Sequence, residues 1–128
     1  MRILLAAPDR DLLECYGKIL EADFGETVTV FDGAQVISLI LSEYFDAVIL
    51  DCDIPLAKNT KLIERIRDRG IPVIALINDP VSLRELSQNT PANAYLYYPF
   101  TPRELGAAIL NTAGNRPEKG FETVTGNE

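Results

Sequence analysis

Asp51 closes the run Asp46-Ala47-Val48-Ile49-Leu50-Asp51, an apolar stretch that stops on a carboxylate. If the stretch is a buried strand, Asp51 stands just beyond its carboxyl end, where open parallel sheets collect their ligands and chemistry. A carboxylate there is a candidate nucleophile or metal ligand. Asp53 follows two residues later, and Asp9 lies after the first apolar run, so both are candidate neighbours. The competing structural reading is a partly exposed carboxylate that caps backbone amides of the following loop. The chain has no histidine, which excludes imidazole acid–base chemistry, a histidine metal site and a phosphohistidine relay within it. Cys15 and Cys52 suit reduced thiols better than a disulfide scaffold. Cys52 adjoins Asp51, but no Lys, Arg or His neighbours it in sequence to lower its pKa, so a redox role has little support.

The 128 residues are enough for one domain. The formal net charge is −7, which disfavours nucleic acid as a ligand because phosphate contact needs a basic field. Acidic side chains concentrate in residues 1–53, while residues 54–70 are basic through Lys58, Lys61, Arg65, Arg67 and Arg69. That stretch reads as the solvated face of a helix, with a docking patch for an acidic partner as the sharper alternative. No apolar run approaches the roughly 20 residues that cross a bilayer, and the opening residues lack the pattern of a signal peptide. A cytoplasmic protein that contacts neither membrane nor nucleic acid is expected.

Strand-like and helix-like patterns alternate five times. Ile3 to Ala7 is an apolar run, followed by a helix that Asp9 or Asp11 can cap, with Leu12, Leu13, Tyr16, Ile19 and Leu20 at helical spacing. Thr27 to Phe31 is a second strand. Asp32 caps a second helix bearing Val36, Ile37, Ile40, Leu41 and Tyr44. Ala47 to Asp51 is the third strand, and a helix with Leu62, Ile63 and Ile66 ends at Gly70. Pro72 to Ile77 is the fourth strand, residues 81–88 a short fourth helix, and Tyr95 to Tyr98 the fifth strand. Thr101 caps a last helix with Pro102 at its first position. The strands are apolar throughout rather than alternating, the mark of a parallel sheet covered on both faces. Strict alternation then predicts a doubly wound α/β fold. Five units in so short a chain suggest the order 2-1-3-4-5, with the switch point between strands one and three. Ala7, Pro8 and Asp51 would meet there. Residues 1–113 form the expected domain, and the polar, breaker-rich residues 114–128 read as a tail or linker.

These motifs, in this order and at these spacings, resemble the response-regulator receiver family over about residues 2–112. Phe45 through Pro55 look like that family's phosphoacceptor strand and proline loop. Arg2 to Leu5 with Asp9 to Leu13 look like its first strand and helix, and Tyr95 through Leu105 like its last strand, proline turn and final helix. The resemblance implies that Asp51 holds the phosphoacceptor position. It also implies a pair of acids holding Mg²⁺ where this chain has Ala7 and Pro8, a Ser or Thr where it has Ile77, and a Lys where it has Tyr98. It further implies a cis bond between Tyr98 and Pro99.

The departures carry a physical consequence. Mg²⁺ needs one or two carboxylates to stay bound, phosphoryl transfer needs its charge neutralised, and an isoleucine donates no hydrogen bond. The expectation is therefore a pseudo-receiver without a metal cofactor. It would not be an enzyme, and it would act by protein–protein contact or self-association. The expected surface joins the fourth helix, the fifth strand and the last helix, with Arg84, Tyr95, Tyr97 and Arg103 on it. Two alternatives stand beside it. One is a working receiver that accepts phosphate on Asp51 from a histidine kinase. The other is a flavodoxin-like domain binding a small ligand at the switch point, against which stands the lack of a glycine-rich phosphate loop.

Overall fold

The computed structural model describes residues 1–54, 60–79, 84 and 92–113. The expected fourth helix (apart from Arg84), Pro55, Lys58 and the tail 114–128 lie outside the described residues.

The chain alternates β1 (Ile3–Ala6), α1 (Arg10–Phe24), β2 (Thr27–Val30), α2 (Gly33–Ser42), β3 (Ala47–Asp51), α3 (Thr60–Asp68), β4 (Val73–Ile77), β5 (Ala94–Tyr97) and α4 (Pro102–Ala113). The five strands form one parallel sheet in the order β2-β1-β3-β4-β5, as the sequence pattern predicts. Ile3 pairs with Thr27 on one side and Ala47 on the other, so β1 and β3 end together at the switch point.

Both sheet faces are buried, which is why the strands lack alternation. On one face Leu4, Val48, Leu50, Val73, Ala75 and Ile77 pack under Val36 and Ile40 of α2 and Leu62, Ile63 and Ile66 of α3. On the other, Ile3, Leu5, Ile49, Ile74 and Leu76 pack under Leu13 and Leu20 of α1 and Leu105 and Ile109 of α4.

The helix starts follow their caps. Asp9, not Asp11, caps α1: its Oδ1 accepts from the backbone N–H of Asp11 at 2.9 Å and of Leu12 at 3.3 Å. Asp32 accepts from Gln35 N–H at 2.8 Å at the head of α2. Thr101 and Glu104 form a reciprocal capping box at the start of α4, with bonds of 3.1 and 2.8 Å. The peptide between Tyr98 and Pro99 is cis, as the resemblance implied.

Some expectations change at the edges. Leu41 and Tyr44, expected on the second helix, are exposed: Leu41 lies on the outer side of α2, away from Val36 and Ile40, and Tyr44 lies beyond its end at Ser42. Phe31 lies beyond β2 and is half exposed beneath the Arg10 guanidinium. The fifth strand runs one residue earlier than expected, so Tyr98 leaves the ladder. Arg65 and Arg67 are exposed on α3 and Arg69 is exposed just beyond its end, as a solvated helix face would be.

Gly25 makes the turn from α1 into β2 with φ of 120°, and a Cβ built on it would stand 2.7 Å from the carbonyl oxygen of Met1. Gly25→Ala is therefore expected to lower stability by about 1–3 kcal/mol in a urea melt, through strain at positive φ and displacement of the first residues. An unchanged midpoint would show that the turn relaxes freely.

Candidate functional site

The carboxyl ends of β1, β3, β4 and β5 surround a cleft of about 330 Å³ lined by Pro8, Asp9, Leu12, Asp51, Asp53, Asn78 and Tyr98. The switch point brings these residues together from four separate stretches of chain, as the strand order requires.

Asp51 is the last residue of β3 and is 5% exposed. The expectation of a partly exposed carboxylate is thus corrected: Asp51 pairs with Leu76 of β4, and the Tyr98 hydroxyl meets its side chain. The capping role is present. Asp51 Oδ1 accepts from the backbone N–H of Asp53 at 2.7 Å. Its Oδ2 accepts from the Tyr98 hydroxyl at 2.5 Å. Asp53 is exposed and takes a bond from the Asn78 amide on Oδ2 at 2.5 Å, tying the loop after β3 to the end of β4.

The other positions behave as their chemistry dictates. Ala7 is fully buried and joins the core under α1, while Pro8 is exposed at the mouth of the cleft. Ile77 is fully buried and packs on the α2–α3 side of the sheet. Asp9 faces the cleft but spends Oδ1 on the α1 cap. Tyr98 is half-buried, with its ring 5.0 Å from that of Phe100.

Burial pushes the Asp51 carboxyl above its usual range. The Tyr98 and Asp53 donors pull it back, and the charges of Asp53 and Asp9 add to the rise. Burial likewise pushes the Tyr98 phenol far above its usual value, helped by the bond to Asp51 and the surrounding carboxylates. The phenol therefore remains a donor throughout the physiological range.

The residues present do not fit a Mg²⁺ centre. Such a site needs carboxylate oxygens that are free to turn toward the ion. Here Ala7 and Pro8 bring no carboxylate, each oxygen of the buried Asp51 already accepts a donor, and Asp9 and Asp53 each spend an oxygen on another bond. Among the described residues, no group of three or more acidic or sulfur side chains is set to hold a metal.

The expected interaction residues divide. Arg84, Tyr97 and Arg103 are exposed. Tyr95 is half-buried against the α2–α3 side of the core, and its hydroxyl accepts from Ala92 N–H at 2.9 Å. Sequence reasoning missed Asn78. Its signal was available, since it is a polar amide directly after the last residue of β4, on the end of the sheet that holds Asp51. Among the described residues, no helix is long and apolar enough to cross a membrane.

No family profile matches the chain. It is 33% identical over 112 residues to the transcriptional regulatory protein TctD of Salmonella typhimurium, covering 85% of this chain and 50% of that protein. To the response regulator MprA of Mycobacterium avium it is 30% identical over 130 residues, covering 97% and 56%. The chain thus spans about half the length of the curated relatives it matches. Among solved structures, a CheY-like receiver domain protein from Methanospirillum hungatei superposes with a TM-score of 0.80 at 24% identity, over 93% of this chain and 98% of that one. The receiver domain of the sensor histidine kinase PA1611 of Pseudomonas aeruginosa gives 0.76 at 25% identity, over 89% and 98%; a magnesium ion is coordinated in its active-site cleft. The chain has the receiver-domain fold, and it is similar to receiver domains of two-component signalling proteins.

The raised Asp51 carboxyl sets a pH signature. The folded state holds this proton more tightly than the unfolded state, so stability is lost as pH rises from the ordinary carboxylate range through the folded value. Asp51→Asn removes that loss and is expected to raise stability at pH 7 by up to about 1 kcal/mol, with the gain shrinking toward pH 4. Urea melts at the two pH values test this. A drop of over about 2 kcal/mol at pH 7 would mean that the two hydrogen bonds outweigh the cost of burial.

Proposed function

We propose that the chain is a receiver-like signalling module that works without phosphate and acts by contact with a protein partner or a second copy. The observation that carries this reading is the Tyr98 hydroxyl on Asp51 Oδ2. A phosphoacceptor carboxylate must present a free oxygen to the phosphorus and have the arriving negative charge neutralised. In this chain one oxygen holds a phenol proton and the other a backbone amide. The cleft lining contains no lysine or arginine among the described residues. A phenol also cannot take the place of an ammonium, because it brings no charge to offset the phosphoryl group.

The module is read as a binding protein rather than an enzyme, without a metal cofactor and located in the cytoplasm. Its proposed surface includes the exposed residues of β5 and α4: Tyr97 is 46% and Leu110 56% exposed, and Arg103 is exposed. Aromatic and arginine side chains are the types that anchor interfaces.

The decisive experiment is an NMR titration with Mg²⁺ followed by acetyl phosphate or beryllofluoride. The expected result is no saturable shift around Asp51 at millimolar Mg²⁺ and none on adding the phosphate donor. Shifts that cluster at Asp51 and vanish in Asp51→Ala would establish a working phosphoreceiver instead. Shifts at the cleft in a nucleotide or flavin screen would favour a small-ligand domain.

The surface has its own test. Sedimentation at micromolar concentration is expected to show self-association, or retention of a partner, that weakens about tenfold or more in Tyr97→Glu. A monomer in both samples, with no partner retained by either, would leave the contact reading without support.

A further inference from the structure

The same tyrosine that covers Asp51 reaches across the molecule in the other direction. Its ring packs on that of Phe100 at 5.0 Å, and Phe100 packs on Tyr16 of α1 at 5.3 Å. The Tyr16 hydroxyl then donates to the Phe100 carbonyl at 3.0 Å. Phe100 is 9% exposed and belongs to the core cluster with Leu13 and Leu105. A continuous series of side chains therefore joins the end of β3 to α1, passing through the short connection between β5 and α4.

That connection has few other supports. Tyr98 N–H donates to Ile77 O at 3.0 Å, and the next backbone bond outside the strands is Leu105 N–H to Thr101 O at 3.1 Å, already inside the turn of the helix. Pro99 has no N–H to offer and is exposed. Between these two bonds the described contacts run through side chains: Tyr98 on Asp51, Phe100 between Tyr98 and Tyr16, the Tyr16 hydroxyl on the Phe100 carbonyl, and Glu104 on the Thr101 N–H.

We infer that the Tyr98–Asp51 hydrogen bond is a latch that positions residues 98–101, and with them the start of α4, against α1 and the sheet. Asp51 is the anchor of the latch, and Tyr98 is a positioning residue for the adjoining surface of β5 and α4. The latch closes onto an acceptor 47 residues away in sequence, so it fixes the connection to the sheet rather than merely stiffening it locally. The inference does not depend on whether that surface binds a partner.

Hydrogen exchange on the full chain tests it, because local opening and global unfolding leave different signatures. The reporting amides are Tyr98 and Leu105, beside the latch. The control amides are Ile3, bonded to Glu26 O, and Asp46, bonded to Arg2 O, at the opposite end of the sheet. In Tyr98→Phe, protection at Tyr98 and Leu105 should fall about tenfold or more while the controls hold. Asp51→Ala should loosen the same two amides, and the double variant should loosen them no further than either single change. Asp51→Asn keeps its oxygen on the Asp53 N–H and can bond the Tyr98 hydroxyl by donating from its amide, so it should restore most of the protection relative to Asp51→Ala, which a general packing defect would not do. Equal falls at reporters and controls, or unchanged reporters in both Tyr98→Phe and Asp51→Ala, would overturn the latch. If Tyr98→Phe does not fold, the comparison of Asp51→Ala with Asp51→Asn decides alone.

Discussion

A carboxylate at the end of a buried strand must find donors, because an uncompensated charge away from water is too costly to keep. In this chain the donors given to Asp51 are a neutral phenol and a backbone amide. That choice governs the rest of this end of the sheet. Because the phenol reaches Asp51 from beyond β5, the chain must leave the ladder after Tyr97 and cross toward β3. The crossing places Phe100 in the core between Tyr98 and Tyr16, and it sets where α4 can start. The carboxylate, the connection and the helix start are one mechanical unit.

The two ends of the sheet treat charge in opposite ways. At the amino end, Arg2 gathers Glu26 and Glu43, lies 4.5 Å over the Phe45 ring, and offers its backbone N–H to Asp46 at 2.7 Å. There a cation stands among acids, and the interactions are charge-assisted. At the carboxyl end Asp9, Asp51 and Asp53 share a cleft whose described lining includes no cation. Their repulsion is met by dispersing the acids into separate tasks. Asp9 caps a helix, Asp53 bonds Asn78, and only Asp51 is buried. Each of these carboxylates thus has at least one oxygen committed to a local hydrogen bond.

The fold was legible because its signals are local and mutually consistent. Apolar strands with no alternation imply cover on both faces, Asp32 and Thr101 announce their helices, and five short βα units leave few topologies open. The site was legible as a place: Ala7, Pro8, Ile77 and Tyr98 could all be assigned to one end of the sheet. Exposure was less readable. Asp51 was expected to be partly exposed, yet the ring that covers it arrives from a residue distant in sequence. No periodicity encodes that contact. Tyr44 continues the apolar pattern of α2 on paper, but the helix ends at Ser42, and where a helix ends against its neighbours is a tertiary matter. The role of Asn78 was not legible because its bond to Asp53 joins two loops 25 residues apart, a contact that no local pattern encodes.

A receiver-like module can depend on phosphate only if its active and resting arrangements are close in free energy, so that one added charge tips the balance. The bonding at Asp51 bears on that condition. The phenol stays protonated throughout the physiological range, so the donor at Oδ2 does not switch itself off as pH changes. The neighbouring carboxylates raise the energy of any further negative charge brought into the cleft. A phosphoryl group would therefore meet repulsion with no cation among the described residues of the cleft lining to compensate it, and it would also compete with the phenol for Asp51. Both terms favour the latched arrangement over the modified one. On the reading proposed above, β5 and α4 would present one surface rather than two, and such a module would convey its information by whether a partner meets that surface.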